Sequence, residues 1–253
     1  SDFLVKVGEY DEAATVIQQV LETNRDKYLI WEQLLYIYNQ LGDFETLYRY
    51  SDTVVSLFPQ QPLPYLYGSV AAFQTERVDQ SIDYSKKGLK TNIDNKHIKS
   101  ELLTFLGEAY QEKEQFELAD STFDKVLEIN PENKFVLNNY AYYLSLRNEK
   151  LAKAREMSAK VVKLEPDNPS YLDTHGWVLY KLGEYEEALK YIKKAYRAGG
   201  SDRPAIVEHY GDAMYKNNET EKAVKLWNAA LQLSEEPNPE LKNKIESGKL
   251  IDE

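Results

Sequence analysis

PSYLDTHGWVLYKLGEYEEALKYIKKAYRAGGSDR, residues Pro169–Arg203, reads as two short helices folded into a hairpin. Leu172, Gly176 and Leu179 fall about one turn apart on a first helix, where positions three and four apart share a face. Gly183 and Glu184 interrupt it. Tyr185, Ala188, Ile192 and Ala195 then mark the inner face of a second helix, and Gly199-Gly200 stops that one. Small residues at Gly176 and Ala188 let the two backbones approach closely, while the larger residues fill the gap between them.

The same pattern recurs along nearly the whole chain at a spacing of about 34 residues, which is the sign of a repeat architecture. A half repeat occupies 1–25, with its second helix at Gly8-Glu9-Tyr10-Asp11-Glu12-Ala13 and its first helix cut to Asp2–Val7. Full repeats follow over 28–61, 62–99, 100–133, 134–168, 169–203 and 204–236, and 237–253 reads as a capping helix and tail. In 28–61, Leu47 and Ser51 replace the usual small-then-aromatic pair of the second helix. The unit 62–99 has no glycine at its turn near Glu76-Arg77, a thinly filled second helix (Ser81, Ser85, Gly88) and an extra Lys96–Lys99 segment. Pro59, Pro131 and Pro166 sit just past second helices, which proline cannot continue. Pro62, Pro169, Pro204 and Pro239 sit at first-turn positions, where the missing N–H costs nothing. In the cap, Leu241 and Ile245 are apolar, and Lys242, Lys244, Glu246 and Lys249 form a polar side. The expected fold is all-α, a right-handed α-α superhelix with a C-terminal capping helix, because stacked hairpins need a half-polar helix over the last apolar face.

The 253 residues carry a net charge of -11 with no Lys/Arg run, so nucleic acid and anionic membranes are disfavoured as partners. Zero cysteines remove disulfides, thiolate nucleophiles and Cys-based zinc sites. No apolar run approaches the roughly 18–20 residues of a membrane span, so direct membrane insertion is not expected. The chain opens at Ser1-Asp2-Phe3-Leu4, without an initiator Met and inside a repeat, and is expected to be part of a longer protein. Phosphate-loop, dinucleotide, zincin and nucleophile-elbow motifs are missing, so no enzyme activity and no cofactor are expected. The acidic clusters Glu184-Glu186-Glu187 and Glu112-Glu114-Glu117 lie around helix starts, where negative charge complements the helix dipole. Of the three histidines, His175 falls on the inter-helix face and reads as a core histidine with a satisfied hydrogen bond. His209 lies beside Glu208 and Asp212, a trio that reads as solvated rather than metal-binding.

The repeats resemble the tetratricopeptide repeat family, whose hallmark is W-x2-L-G-x2-Y, then A-x3-F, then P. Trp31-x2-Leu34, Leu106-Gly107-x2-Tyr110, Ala119-x3-Phe123 and Pro131 carry the match, and His175 departs from it where the family prefers leucine. The resemblance implies a scaffold or adaptor for another protein or peptide, held in a concave groove lined by first helices. The alternative is a structural or oligomerising segment with no dedicated groove. The residues rotated away from the Leu172/Gly176 packing face are Asp173, Trp177 and Tyr180. Stepping by the repeat adds Asn138, Asn139 and Tyr142 before them, and Glu208, Asp212 and Tyr215 after them. Earlier repeats contribute Tyr36, Phe73 and Glu108. Some of these aromatics are expected to pack on the neighbouring first helix instead. Trp177 stands out as a client anchor, because Gly176 and Leu179 already fill the packing role around it, and Asn138-Asn139 suit a clamp on peptide backbone.

In the family, Lys, Asn and Arg side chains on three successive first helices bind chaperone C-termini. Asn139 matches one member, but Thr104, Glu108, Ser170 and Thr174 fill the other places, so that activity is not implied. Within Lys134–Leu231, Asn138–Leu144, Leu172–Tyr180 and the Trp227 helix are similar to bacterial tetratricopeptide lipoproteins of the outer membrane. Some members of that subfamily dock a periplasmic processing protease. This likeness implies a bacterial cell envelope setting and a periplasmic protease as partner, against a cytoplasmic alternative.

Overall fold

Asparagine and proline open the first helices where the sequence places them. Asn168 Oδ1 accepts from the N–H groups of Ser170 and Tyr171 at 3.0 and 3.3 Å. Asn133 Oδ1 accepts from Val136 N–H at 3.1 Å, and Asn95 Oδ1 from His97 N–H at 2.9 Å. Each contact satisfies a donor that the first turn leaves without an intrahelical partner. A computed structural model describes residues 8–235 and 239–250, and all regular structure among the described residues is helical. The truncated first helix expected at Asp2–Val7 lies outside them.

The chain forms two compact units that divide between Pro131 and Glu132. The first contains α1 (Tyr10–Leu21), α2 (Tyr28–Leu41), α3 (Phe44–Leu57), α4 (Pro62–Gln74), α5 (Val78–Gly88), α6 (Lys96–Glu112) and α7 (Phe116–Ile129). The second contains α8 (Lys134–Leu146), α9 (Leu151–Leu164), α10 (Pro169–Lys181), α11 (Tyr185–Ala195), α12 (Pro204–Lys216), α13 (Thr220–Leu233) and α14 (Pro239–Ser247). A short π-helical turn, Tyr196–Gly200, extends α11 and is broken inside at Gly199, with φ 104°. In both units consecutive helices pack as antiparallel hairpins, and the hairpins stack in the arrangement of a helical-repeat solenoid.

One volume rule holds the hairpins together. A Cβ built on Gly68, Gly107, Gly176 or Gly211 would lie 2.5–2.6 Å from the side chain sixteen residues later: Tyr84, Phe123, Ile192 or Trp227 respectively. The first helix gives up its side chain so that the second can bury a large one. In the hairpin 28–61 the rule is inverted, with Leu35 on the first helix and Ser51 on the second, both fully buried. The substitution noted at Ser51 is therefore the small half of a swapped pair.

The second helix of the unit 62–99 is not thinly filled. Tyr84 packs over Gly68, and its ring meets Tyr48 and Tyr65 with centroids 5.9 and 6.5 Å apart. Ser69 Oγ lies 3.0 Å from Ser81 Oγ and 2.6 Å from Ser85 Oγ, so the small residues form a buried hydrogen-bonded cluster. The extra Lys96–Lys99 segment is the added first turn of α6, capped by Asn95. Turn chemistry is equally regular. Gly42, Glu76, Glu114, Asn148, Gly183 and Asn218 occupy equivalent hairpin turns, and all have positive φ, between 56° and 80°. The missing glycine near Arg77 is replaced by a glutamate in the left-handed conformation.

Candidate functional site

A first helix has two faces to satisfy, one toward its own second helix and one toward the first helix of the next hairpin. The second face takes several of the residues that the sequence points toward a client, Asp173, Trp177, Glu208 and Asp212 among them. Asp173 on α10 is buried and pairs through Oδ2 with Nδ1 of His209 on α12 at 2.9 Å. The His209 ring stacks on Trp177, with centroids 3.9 Å apart and planes 14° apart. Trp177 in turn stacks on Tyr180, whose ring abuts Tyr185. Trp177 and Tyr180 are only 8% and 9% exposed, so they are first of all joints between α10 and its neighbours. The expectation that Trp177 is spare is corrected: Gly176 and Leu179 satisfy one helix interface, and Trp177 satisfies the next.

The acidic positions behave alike. Asp212 is buried and accepts from Trp227 Nε1–H at 2.8 Å. The ammonium of Lys244, on α14, lies 2.8 Å from Asp212 Oδ2 and 2.8 Å from Glu208 Oε1. The sequence had Lys244 on the wet side of the cap; it is 8% exposed. Burial alone would lower its pKa, but the two carboxylates hold it above the usual lysine value. Burial raises the Asp212 carboxyl above its ordinary value despite that ammonium. Burial likewise disfavours the His209 imidazolium, yet Asp173, with Asp212 and Glu208 behind it, outweighs this and raises its pKa. The expectation that this trio is solvated is therefore corrected: His209 and Asp212 are buried, and all three side chains engage neighbouring helices.

The remaining sequence candidates divide by position. Asn138 Nδ2–H donates to Asn139 Oδ1 at 3.1 Å, so the two half-buried amides engage each other. Tyr142 is half-buried, and burial with the nearby Asp173 and Glu208 raises its hydroxyl pKa. Tyr215 packs with its ring 5.8 Å from Trp227. In the first unit Tyr36 is 39% exposed and Glu108 is buried. Phe73 meets Phe105 edge-on at 6.1 Å. His175 is the expected core histidine: its Nδ1 lies 2.9 Å from Ser158 Oγ, its ring meets Tyr191 edge-on, and burial lowers its pKa to about 4.

Beside these joints, among the described residues, lies a cleft of the second unit of about 680 Å³. Tyr142, Trp177, Tyr180 and Tyr185 give it an aromatic floor, Leu146 and Lys216 stand at its rim, and α14 closes one end with Glu240 and Lys244. Lys216 Nζ sits 5.5 Å above the Tyr185 ring, a cation–π distance. The cleft therefore offers aromatic edges set among the charged side chains of Lys181, Glu208, Asp212, Lys216, Glu240 and Lys244. Sequence reasoning missed Tyr185, Leu146, Lys216 and Lys244. Lys244 was detectable, because it falls one repeat after His209 and thirty-six residues after a carboxylate.

No curated protein matches the chain. A tetratricopeptide repeat profile matches residues 65–236, and a second profile of the same description matches residues 2–27; neither indicates a catalytic family. Among solved structures the chain is similar to the APC/C hetero-tetramer Cut9-Hcn1, with TM-score 0.77 and 12% identity, covering 97% of this chain and 47% of that one. It therefore spans about half the length of that relative. A tetratricopeptide repeat protein from Parabacteroides merdae is similar at TM-score 0.69 and 14% identity, over 97% of this chain and 94% of that one. YrrB, described as a TPR protein with an unusual peptide-binding site, is similar at TM-score 0.61 and 18% identity, over 77% of this chain and 97% of that one. Identities this low carry the fold alone. With a profile matching well over half its length, and hairpins that obey one packing rule, the chain belongs to the tetratricopeptide repeat family.

Proposed function

We propose that the chain is a protein–protein interaction scaffold that holds a segment of its client in the cleft of the second unit. The tetratricopeptide fold suggests such a scaffold. The observation that carries this reading is the aromatic floor of Tyr142, Trp177, Tyr180 and Tyr185 under a rim that includes Leu146 and Lys216. Aromatic side chains bury large areas with few rotors to freeze, which suits them to recognition. The peptide-binding site described for YrrB and the hetero-tetramer described for Cut9-Hcn1 support binding as the shared use of the fold. A photo-crosslinking residue at Leu146, which is 52% exposed, tests it. Crosslinks to another protein that disappear with Lys216→Glu support the cleft; crosslinks only between copies of the chain favour an oligomerising segment instead.

The setting we infer is a bacterial cell envelope, with a periplasmic processing protease as a specific partner. Its support is the likeness of Lys134–Leu231 to envelope lipoproteins. Fractionation of the source cells decides: recovery with the cytosol removes the envelope reading, and failure of a purified periplasmic protease to crosslink at Leu146 removes that partner.

A further inference from the structure

α14 is shorter than the helices of the repeats, yet it makes the contact that the first helix of another repeat would make. His209 on α12 reaches Asp173 on α10, thirty-six residues back. Lys244 on α14 reaches Glu208 on α12 over the same separation, and adds both oxygens of Asp212 at 3.0 and 2.8 Å. One repeat further on, the positions of Glu208 and Asp212 are taken by Asn243 and Ser247, so the acidic register ends on α14.

The attachment is narrow. Leu241 and Lys244 are the buried residues of α14, and Lys244 belongs to the wall of the cleft. A helix tied down at few buried positions belongs to the part of a fold that opens first. Leaving Glu208 and Asp212 with no cation is costly, because Asp212 is buried and Glu208 is largely withdrawn from water beside it. Exchange of one ammonium for another avoids that cost, so the site favours an incoming chain that brings its own lysine over one that does not.

Taking the cleft as the client site proposed above, we propose that α14 is the resident occupant of the carboxylate seat at its closed end, and that the client is a helix carrying a lysine. This helix displaces α14, sets its ammonium on Glu208 and Asp212, and places an aliphatic residue three positions earlier, where Leu241 now sits. The carboxylate pair supplies the charge complementarity.

The test uses the full chain, hydrogen exchange read by mass spectrometry, and a labelled peptide of residues 239–250 added in trans. In Lys244→Gln the amides of α14 are expected to exchange about tenfold faster than in the wild type, with α10–α13 unchanged. The labelled peptide is expected to bind Lys244→Gln about tenfold more tightly than it binds the wild type, and a peptide with its own Lys244→Gln change gains nothing. Wild-type exchange in α14, or peptide binding indifferent to the lysine, overturns the proposal. If Lys244→Gln fails to fold, the variant Glu208→Gln/Asp212→Asn/Lys244→Gln removes the charges together, and wild-type protection of α14 there overturns it equally. Client crosslinks at Leu146 that persist while α14 stays protected would keep the cleft as the client site and remove the lysine-bearing helix.

Discussion

Lys244 stands to Glu208 as His209 stands to Asp173. In each pair a cation on one helix meets a carboxylate thirty-six residues earlier, at 2.8 and 2.9 Å. Both contacts are shielded from water, so they act as rungs between successive helices of the second unit rather than as surface ion pairs, which are worth little. Asp212 joins the second rung to the hairpin core, since it also accepts from Trp227.

Asp212 is therefore the most sensitive charged position. Asp212→Leu strands the Trp227 N–H and leaves Lys244 with Glu208 alone. Removing one partner of a buried pair costs about 3–5 kcal/mol. Asp212→Asn keeps an oxygen for the indole and is expected to lose less. Urea unfolding of the second-unit transition measures both; a loss below about 1 kcal/mol for Asp212→Leu, the scale of a surface ion pair, would show that the rung is not structural.

The two buried histidines give opposite pH limbs. His209 has its folded pKa raised above the ordinary 6.5. Its contribution is full below pH 6.5 and is lost as pH rises through the folded value. His175 has its folded pKa lowered to about 4. Its contribution is present above pH 6.5 and is lost as pH falls from there toward 4. Stability of the second unit, followed by thermal melts across pH 4–8, should fall on both sides. Asp173→Asn should flatten the alkaline limb, and His175→Leu the acid one. A wild-type limb that persists in its variant assigns that limb to another group.

How much of this was legible follows from where the information sits. Gly107, Gly176 and Gly211 could be placed opposite large residues because a hairpin lies within one repeat, and its spacing is written along the chain. The fate of Trp177, Asp173 and Glu208 could not be read the same way. Which side chain of α10 meets α12 depends on the rotation between successive hairpins, and no single helix encodes that rotation. Lys244 was misread because Lys242, Lys244 and Lys249 look alike within a short polar helix; only stepping back by one repeat, to the carboxylates thirty-two and thirty-six residues earlier, separates it from the others. Glu76 was read as a missing glycine, although the turn needs only a residue that tolerates positive φ.

That tolerance has a measurable cost. Glu76 and Glu114 have φ of 60° and 56°, where an L-residue loses about 1–2 kcal/mol relative to the right-handed conformation. Glycine avoids this, against about 0.5–1 kcal/mol of extra unfolded-chain entropy. Glu76→Gly and Glu114→Gly should each stabilise the first unit by about 0.5–1 kcal/mol. Asn148→Gly, replacing a residue that accepts the left-handed region, should change little. Denaturant midpoints that fall on adding either glycine would show that the glutamates hold their turns by side-chain contacts.

The glycine rule makes a sharper prediction, because its two halves differ in what they touch. The three atoms nearest a Cβ on Gly107 all belong to the Phe123 ring, from 2.6 Å. On Gly176 it meets Ile192 Cγ1 at 2.5 Å and also the backbone, at Ile192 N 3.1 Å and Ala188 O 3.2 Å. A ring can turn or be trimmed, whereas backbone moves only if the helix moves. Overpacking of this kind costs about 1–3 kcal/mol, so both Gly→Ala variants should be destabilised. Phe123→Leu should rescue Gly107→Ala to nearly the stability of Phe123→Leu alone. Ile192→Ala, which removes Cγ1, should leave Gly176→Ala still below its own single variant, because the α11 backbone remains in the way. Double-mutant cycles by urea unfolding measure the two rescues, and full rescue at Gly176 would mean that α10 and α11 can separate without cost.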